Sequence, residues 1–353
     1  MLKLTFLGTS AGMPTKQRNV TALAVSLINP QSKAKNTPWV LIDCGEGTQQ
    51  QILHTPLSLS NLEMICITHV HGDHCYGLPG LLSSMGMSRR TAPLKIIAPQ
   101  AIGKLLDTLT ITTELFFPYP IAFIALESLK KEQGFETISV SFNANHHLTI
   151  EPISLSHRVP SHAFKICQTI DSVELLTDKL RAIGLAPSPL WGKLQSGENI
   201  TLETGETLLA NDFIVHQHEQ TAIIVGGDND TPSLLKPFVH DVGLLVHEAT
   251  YTHDIAEKVK SKTDGFDPQH STARQVAEFA EAAGVPNIIL THFSGRYQPF
   301  ENMDDKTPNM GHIRAEVEQF YRGNCWLAKD FEVFEVRQDV VNQSNHSQQN
   351  ASC

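Results

Sequence analysis

Along the first half of the chain, apolar positions come in short runs with strand character rather than in long helical stripes. Residues 2–7, 21–28 and 39–43 are rich in β-formers and are separated by Gly, Pro and Asn, which predicts three strands. A short helix over 47–54 and an apolar strand over 64–68 follow, then a helix over 78–87 and a strand over 94–98. Further strands are predicted over 138–142, 148–156 and 163–170. Helical spacing over 172–183 is broken at 184–189, and the Gly-, Glu- and Thr-rich stretch to residue 212 reads as a hairpin or arm. Beyond it, strand and helix alternate through 221–225, 233–239, 243–247, 271–283, 287–291 and 312–321, with a last strand over 331–336. The remainder, 337–353, rich in Asn, Gln and Ser from 342 onward, reads as a disordered tail. Strands interleaved with helices in both halves predict an α/β fold of two sheets covered by helices on their outer faces.

Composition narrows this picture. A chain of 353 residues fits one layered α/β unit with a sizeable core. No apolar run approaches the roughly 18–20 residues that span a bilayer, and the first eight residues lack the order of a signal peptide, so a soluble, cytoplasmic protein is expected. A net charge of −10 excludes nonspecific polyanion binding over the whole surface. Local basic stretches survive within it. Residues 74–106 carry Arg89, Arg90, Lys95 and Lys104 and no carboxylate, and 179–197 carry Lys179, Arg181 and Lys193. The 6 cysteines form no C-x-x-C pair, which argues against both a disulfide framework and a thiolate zinc site. The 17 histidines are the anomaly.

Their placement is concentrated at Thr68-His69-Val70-His71-Gly72-Asp73-His74, where the apolar strand 64–68 ends. Side chains leaving a strand end can converge on a cleft, and four potential ligands this close together suit two metals better than one. A strand-like turn would point His69 and His71 to one side and Asp73 and His74 to the other, with Gly72 allowing the tight backbone. Imidazole and carboxylate without thiolate fit zinc or manganese. A dinuclear site needs further ligands, and His157, Asp228 and His292 each stand just past an apolar strand.

These residues resemble the signature of the metallo-β-lactamase superfamily, and neighbouring segments resemble ribonuclease Z in particular, over roughly residues 1–336. Pro14-Thr15-Lys16-Gln17-Arg18-Asn19 is similar to that family's P-x-K-x-R-N loop. His247-Glu248-Ala249-Thr250 is similar to its HEAT loop, His270-Ser271-Thr272 to its HST loop, and 290–297 to its final ligand motif. The resemblance implies a four-layer αβ/βα sandwich, a homodimer, and two zinc ions per subunit. It places His69, His71 and His157 on one zinc, Asp73, His74 and His292 on the other, and Asp228 between them. Where the family writes Gly-Asp-Thr, this chain has Gly227-Asp228-Asn229-Asp230-Thr231, leaving Asp228 and Asp230 as rivals. Asp228 is preferred because it follows the Gly pair at the strand end and keeps the spacing to His247. Residues 165–212 correspond to a flexible arm that grips the tRNA body, although here it holds four Lys/Arg against seven Asp/Glu.

The implied activity is cleavage of the 3′ trailer from precursor tRNA, with a hydroxide made between two metals attacking the phosphodiester. Asp73 is expected to serve as ligand and general base, and His270 to protonate the leaving 3′ oxygen. Glu248 is expected to orient His270 or a ligand. Lys16, Arg18 and Asn19 are expected to contact the substrate, and His247 to be structural. Two rivals remain: another hydrolase on the same fold, such as a broad phosphodiesterase, and a non-catalytic RNA-binding module.

Overall fold

Two sheets organise the chain in the computed structural model, which describes residues 1–30, 36–262 and 267–344. The eight-stranded sheet runs in the order Val340–Ser344, Val333–Arg337, Leu2–Gly8, Ala22–Leu27, Trp39–Ile42, Leu62–Cys66, Leu94–Ala98, Ile121–Ala125. Its pairs are antiparallel as far as Trp39–Ile42 and parallel beyond. The seven-stranded sheet runs Asn324–Leu327, Asn287–Thr291, Leu244–Glu248, Ile214–Gly226, Ser161–Leu175, His146–Leu155, Ile138–Asn143. Its first four strands are parallel neighbours. Strands covered on both faces read as continuous apolar runs, as at 244–246 and 288–290, all buried.

Helices cover the outer face of each sheet. Thr48–Ile52, Leu78–Met87 and Gln100–Thr113 pack on the first through Ile52, Leu81, Met85 and Ile102. Ala273–Ala283 and Met310–Phe320 pack on the second through Val276, Ala280, Ile313 and Val317. The inner faces meet directly. Phe334 of the first sheet lies edge-on to both Phe6 (5.8 Å) and Trp326 of the second sheet (5.9 Å). The result is the αβ/βα sandwich. Thr272 caps Ala273–Ala283 in a reciprocal box with Gln275, a feature that typically contributes about 1 kcal/mol.

Several elements depart from the pattern reading. The strand Ser161–Leu175 runs through β-formers Ile170 and Val173, so of the helix expected over 172–183 only Thr177–Ala182 forms. Over 233–239 there is a single 3₁₀ turn, Pro232–Leu235. The helices Gln100–Thr113 and His253–Lys262 and the strands Ile121–Ala125 and Asn324–Leu327 were not anticipated. The expected disordered tail is corrected at 337–344. Val340–Ser344 pairs antiparallel with Val333–Arg337, because a sheet edge offers backbone hydrogen bonds whatever the side chains are. Residues 345–353 lie outside the described residues.

By compactness the chain divides into Met1–Ser139, Thr149–Cys167 and Thr221–Cys353 as one unit, and Val140–Leu148 with Gln168–Gln220 as a second. The second unit thus begins and ends differently from the arm expected over 165–212. It has its own small core of Leu180, Leu194, Ile200, Leu208, Ala210 and Phe213. A hairpin pairs Ile200–Thr201 with Thr207–Leu208. Two of its cations are held against rings, Lys179 over Phe213 (5.2 Å) and Arg181 over Trp191 (5.9 Å). Among the described residues, no helix is long and apolar enough to cross a membrane.

Candidate metal centre

The strand Leu62–Cys66 ends before the histidine motif, and the chain then turns into a one-turn helix, Gly72–Cys75, with His71 at its N-cap. That helix, not the strand-like turn expected, carries Asp73 and His74, and the His74 ring stacks beside His69 with centroids 4.1 Å apart. The other contributors leave strand ends of the seven-stranded sheet. His157 follows His146–Leu155, Asp228 follows Ile214–Gly226, and His292 follows Asn287–Thr291. Ile214–Gly226 and Asn287–Thr291 both run parallel to Leu244–Glu248 between them, so Asp228 and His292 leave the same end of the sheet, the usual location of sites in α/β sheets.

Among the described residues three groups of donor atoms result: His69, His71, His157 with Asp228; Asp73, His74 with His292; and Asp228, His270 with His292, which overlaps the other two. His71 Nδ1 lies 3.0 Å from His69 Nε2 and 3.2 Å from His157 Nε2. Asp228 Oδ2 is 3.6 Å from both His69 and His157 Nε2. On the other side, His74 and His292 Nε2 are 3.3 Å apart, and each is 3.3 Å from Asp228 Oδ1. Asp73 Oδ2 is 3.4 Å from His292 and 3.6 Å from His74. With zinc–nitrogen bonds of about 2.0–2.1 Å, donors of a tetrahedral site stand roughly 3.3–3.4 Å apart. The first two groups lie near that spacing, at 3.0–3.6 Å, and Asp228 turns one oxygen to each. Asp228 Oδ1 is also buried without a well-angled hydrogen bond. Asp230 points elsewhere: its N–H donates to Ser156 and its Oδ1 accepts from Thr231.

The far nitrogen of four of these imidazoles is fixed in turn. His74 Nδ1 faces Asp43 Oδ2 at 2.7 Å, His157 Nδ1 the Gln269 carbonyl at 2.7 Å, and His292 Nδ1 Thr250 Oγ1 at 2.9 Å. His69 Nδ1 faces Thr68 Oγ1 at 3.0 Å, and Thr68 donates through N–H and Oγ1 to Asp43. Such outer contacts set tautomer and ring orientation at metal sites. Asp43 (φ 59°), Gln269 (φ 55°) and His292 (φ 58°) all sit in the left-handed region, so backbone strain is concentrated here.

Electrostatics agree with a cation site. Burial, as the main cause, lowers His69, His71 and His157 and keeps them neutral, the form that ligates. His74 is also fully buried, yet Asp228, Asp43 and Asp73 outweigh desolvation and raise it well above the ordinary value. Positive charge is favoured at that spot. Burial alone would raise Asp73 and Asp228, but the surrounding histidines hold both well below the usual carboxylate range. Burial pushes the thiols of nearby Cys44 and Cys75 upward, and neither belongs to a donor group.

Beside the cluster, His270 Nδ1 lies 3.1 Å from both oxygens of Glu248 and 3.7 Å from Asp228 Oδ2. Desolvation would lower His270, but Glu248 and Asp228 overcome it and hold it at about 9. Glu248 is buried rather than an exposed loop carboxylate, and it also accepts from the N–H of Asn229 (2.7 Å) and from Thr250 Oγ1. His247 Nε2 contacts Asn229 Nδ2 at 3.0 Å, which fits its structural reading. Sequence reasoning missed Asp43, Thr250 and Asn229. Asp43 lay at an anticipated strand end, but nothing in local order ties it to His74.

The loop 9–19 reaches the cluster through the Gly12 N–H, which donates to Asp73 Oδ2 at 2.7 Å. Lys16 is exposed on it. Arg18, expected to contact substrate, is instead 7% exposed. Its Nη2 donates to the Tyr297 carbonyl (2.7 Å), and its guanidinium lies over Phe293 (5.8 Å). Asn19 Nδ2 donates to the Glu46 carbonyl (2.9 Å), so it too is engaged within the protein. Arg90, from the basic stretch, is likewise buried on the carbonyls of Leu59, Leu62, Ala92 and Pro93.

A two-sheet sandwich with a His/Asp cluster at its strand ends defines the metallo-β-lactamase class. The metallo-beta-lactamase fold protein YhfI of Bacillus subtilis matches with TM-score 0.58 over 94% of this chain and 98% of its own, at 15% identity. Human tRNase Z, short form, matches with TM-score 0.57 over 95% of this chain and 99% of its own, at 22% identity. At such identities the likeness is one of fold. The sequence carries the assignment further: Ribonuclease Z of Marinobacter nauticus is 43% identical over 338 residues, covering 96% of this chain and 97% of that protein. The chain belongs to the ribonuclease Z family. A family model described as the anti-Pycsar protein Apyc1 also matches residues 2–174, a span that stops short of Asp228, Glu248, His270 and His292. Fold and family imply a metal cofactor, and the donor set here is compatible with one.

Proposed function

We propose that this protein is a zinc-dependent endoribonuclease that removes the 3′ trailer from precursor tRNA and leaves a 3′-OH on the tRNA. The observation that carries the reading is Asp228, whose two oxygens each face a separate group of three further donors. Within a family whose members bear the name Ribonuclease Z, that arrangement supports a pair of ions. His69, His71 and His157 would hold one ion, Asp73, His74 and His292 would hold the other, and Asp228 would serve both. Imidazole and carboxylate donors suit zinc, with manganese accepted by the same set. Such a pair supplies Lewis acidity and ionises water near neutral pH.

The protein's own groups do the rest. Asp73 accepts the proton of the attacking water. Glu248 fixes His270 through Nδ1 and leaves Nε2 to donate to the departing O3′. Lys16 meets a substrate phosphate. The second compact unit grips the tRNA body with Lys179, Arg181 and Lys193. We further propose a homodimer working in the cytoplasm.

The test is cleavage of a precursor tRNA by wild type, Asp73→Ala and His270→Ala, with and without chelator. Both variants should lose cleavage by about 10²-fold or more, the scale of a general acid or base. Zinc should stay near the wild-type level in His270→Ala and fall in Asp73→Ala, and chelator should abolish activity. Hydrolysis of a chromogenic phosphodiester with none of precursor tRNA would reverse the reading in favour of a small-substrate phosphodiesterase.

A further inference from the structure

Asp330 follows the strand Asn324–Leu327 and touches none of the candidate ligands, yet three segments converge on its carboxylate. Thr9 Oγ1 donates to Oδ1 at 2.7 Å, the Asn19 N–H to Oδ2 at 2.6 Å, and Gln51 Nε2 to Oδ2 at 3.0 Å. Thr9 and Asn19 are the two ends of the loop that carries Lys16 and the Gly12 N–H. Backbone bonds close the same neck, Thr9 N–H and Ser10 N–H both donating to the Asn19 carbonyl. On the far side, the Thr9 carbonyl accepts from Phe293 N–H (2.9 Å), next to His292.

We propose that Asp330 is a positioning residue, a clamp on both ends of loop 9–19 that fixes where Lys16 meets the RNA and where the Gly12 N–H meets Asp73. The inference rests on the precursor-tRNA reading above. A carboxylate suits this task because both oxygens accept, whereas an amide would turn N–H groups toward one set of donors. Arg18 supports the clamp from within the loop, bonded to the Tyr297 carbonyl and favouring the Asp330 anion by its charge.

The experiment is a double-mutant cycle on precursor-tRNA cleavage with Asp330→Asn, Lys16→Ala and the pair, zinc content being measured for each. A misplaced contact group costs roughly ten- to a hundredfold, so Asp330→Asn should lower kcat/KM by that order with zinc unchanged. Lys16→Ala should then add little in the Asp330→Asn background, because the loop no longer presents the lysine. Additive effects, or wild-type kcat/KM in Asp330→Asn, would overturn the clamp. A residue important for stability alone would lower the melting temperature and leave the cycle additive. Should Asp330→Asn fail to fold, Thr9→Val removes one donor, keeps the carboxylate, and enters the same cycle. Wild type inactive on precursor tRNA overturns the underlying reading and the clamp together, while an active wild type with an additive cycle overturns the clamp alone.

Discussion

At the scale of residues, the candidate ligands are set by what stands behind them. His74 owes its orientation to Asp43, which also accepts from Thr68 and so links His74 to His69 through one carboxylate. Asp43→Asn keeps the shape and removes the charge. Zinc affinity in a chelator competition should weaken about 10–100-fold, and an unchanged affinity would mean that His74 needs no such support. Asp330 offers a pH test. Burial raises its carboxyl from 3.8 to about 6 in the folded protein, against the neighbouring donors and Arg18 that pull it down. Between those values the native state holds a proton that the unfolded chain has released, so this group's contribution to stability is full below about pH 4 and disappears as pH rises through about 6. The urea midpoint of wild type relative to Asp330→Asn should therefore decline from about pH 4 to about pH 6 and level off above that. A rising difference would contradict the shift.

Among elements, the site depends on strands ending at one level. Gly227 marks how closely they approach: a Cβ there would lie 2.5 Å from Thr68 Cβ and 2.8 Å from the His162 carbonyl. Gly227→Ala should cost about 1–3 kcal/mol or more through overpacking and should lower both melting temperature and zinc content. A fully zinc-loaded variant with an unchanged melting temperature would show that the strand ends have slack. Apolar runs such as Leu94–Ala98 and Asn287–Thr291 were legible residue for residue, because burial keeps them apolar apart from Lys95 in the first and the terminal Asn287 and Thr291 of the second. Gln100–Thr113 was not, since it buries only Ile102 and Leu106 and its apolar stripe is thin. The surroundings of Arg18 were hidden for a related reason. A cation in a loop resembles a ligand for phosphate until a carbonyl and a ring are found beside it.

For the molecule as a whole, RNA capture is proposed to belong to the second compact unit and chemistry to the first. Replacing Lys179, Arg181 and Lys193 together by Ala should weaken precursor-tRNA binding and flatten its salt dependence by about 0.7–0.9 for every phosphate that is no longer neutralised. Turnover of a chromogenic phosphodiester should persist. An unchanged salt slope would show that these cations do not meet the RNA. The sequence alone determined the His69–His74 motif, the strand-end placement of His157, Asp228 and His292, and the α/β class, because each is written in a local run of residues. Tertiary structure decided that Asp228 rather than Asp230 faces both donor groups, that Asp43 and Thr250 stand behind the histidines, and that Asp330 closes the loop 9–19. Those pairings join segments as much as 321 residues apart. Their geometry comes from how two sheets align their strand ends, and spacing along the chain carries no record of that alignment.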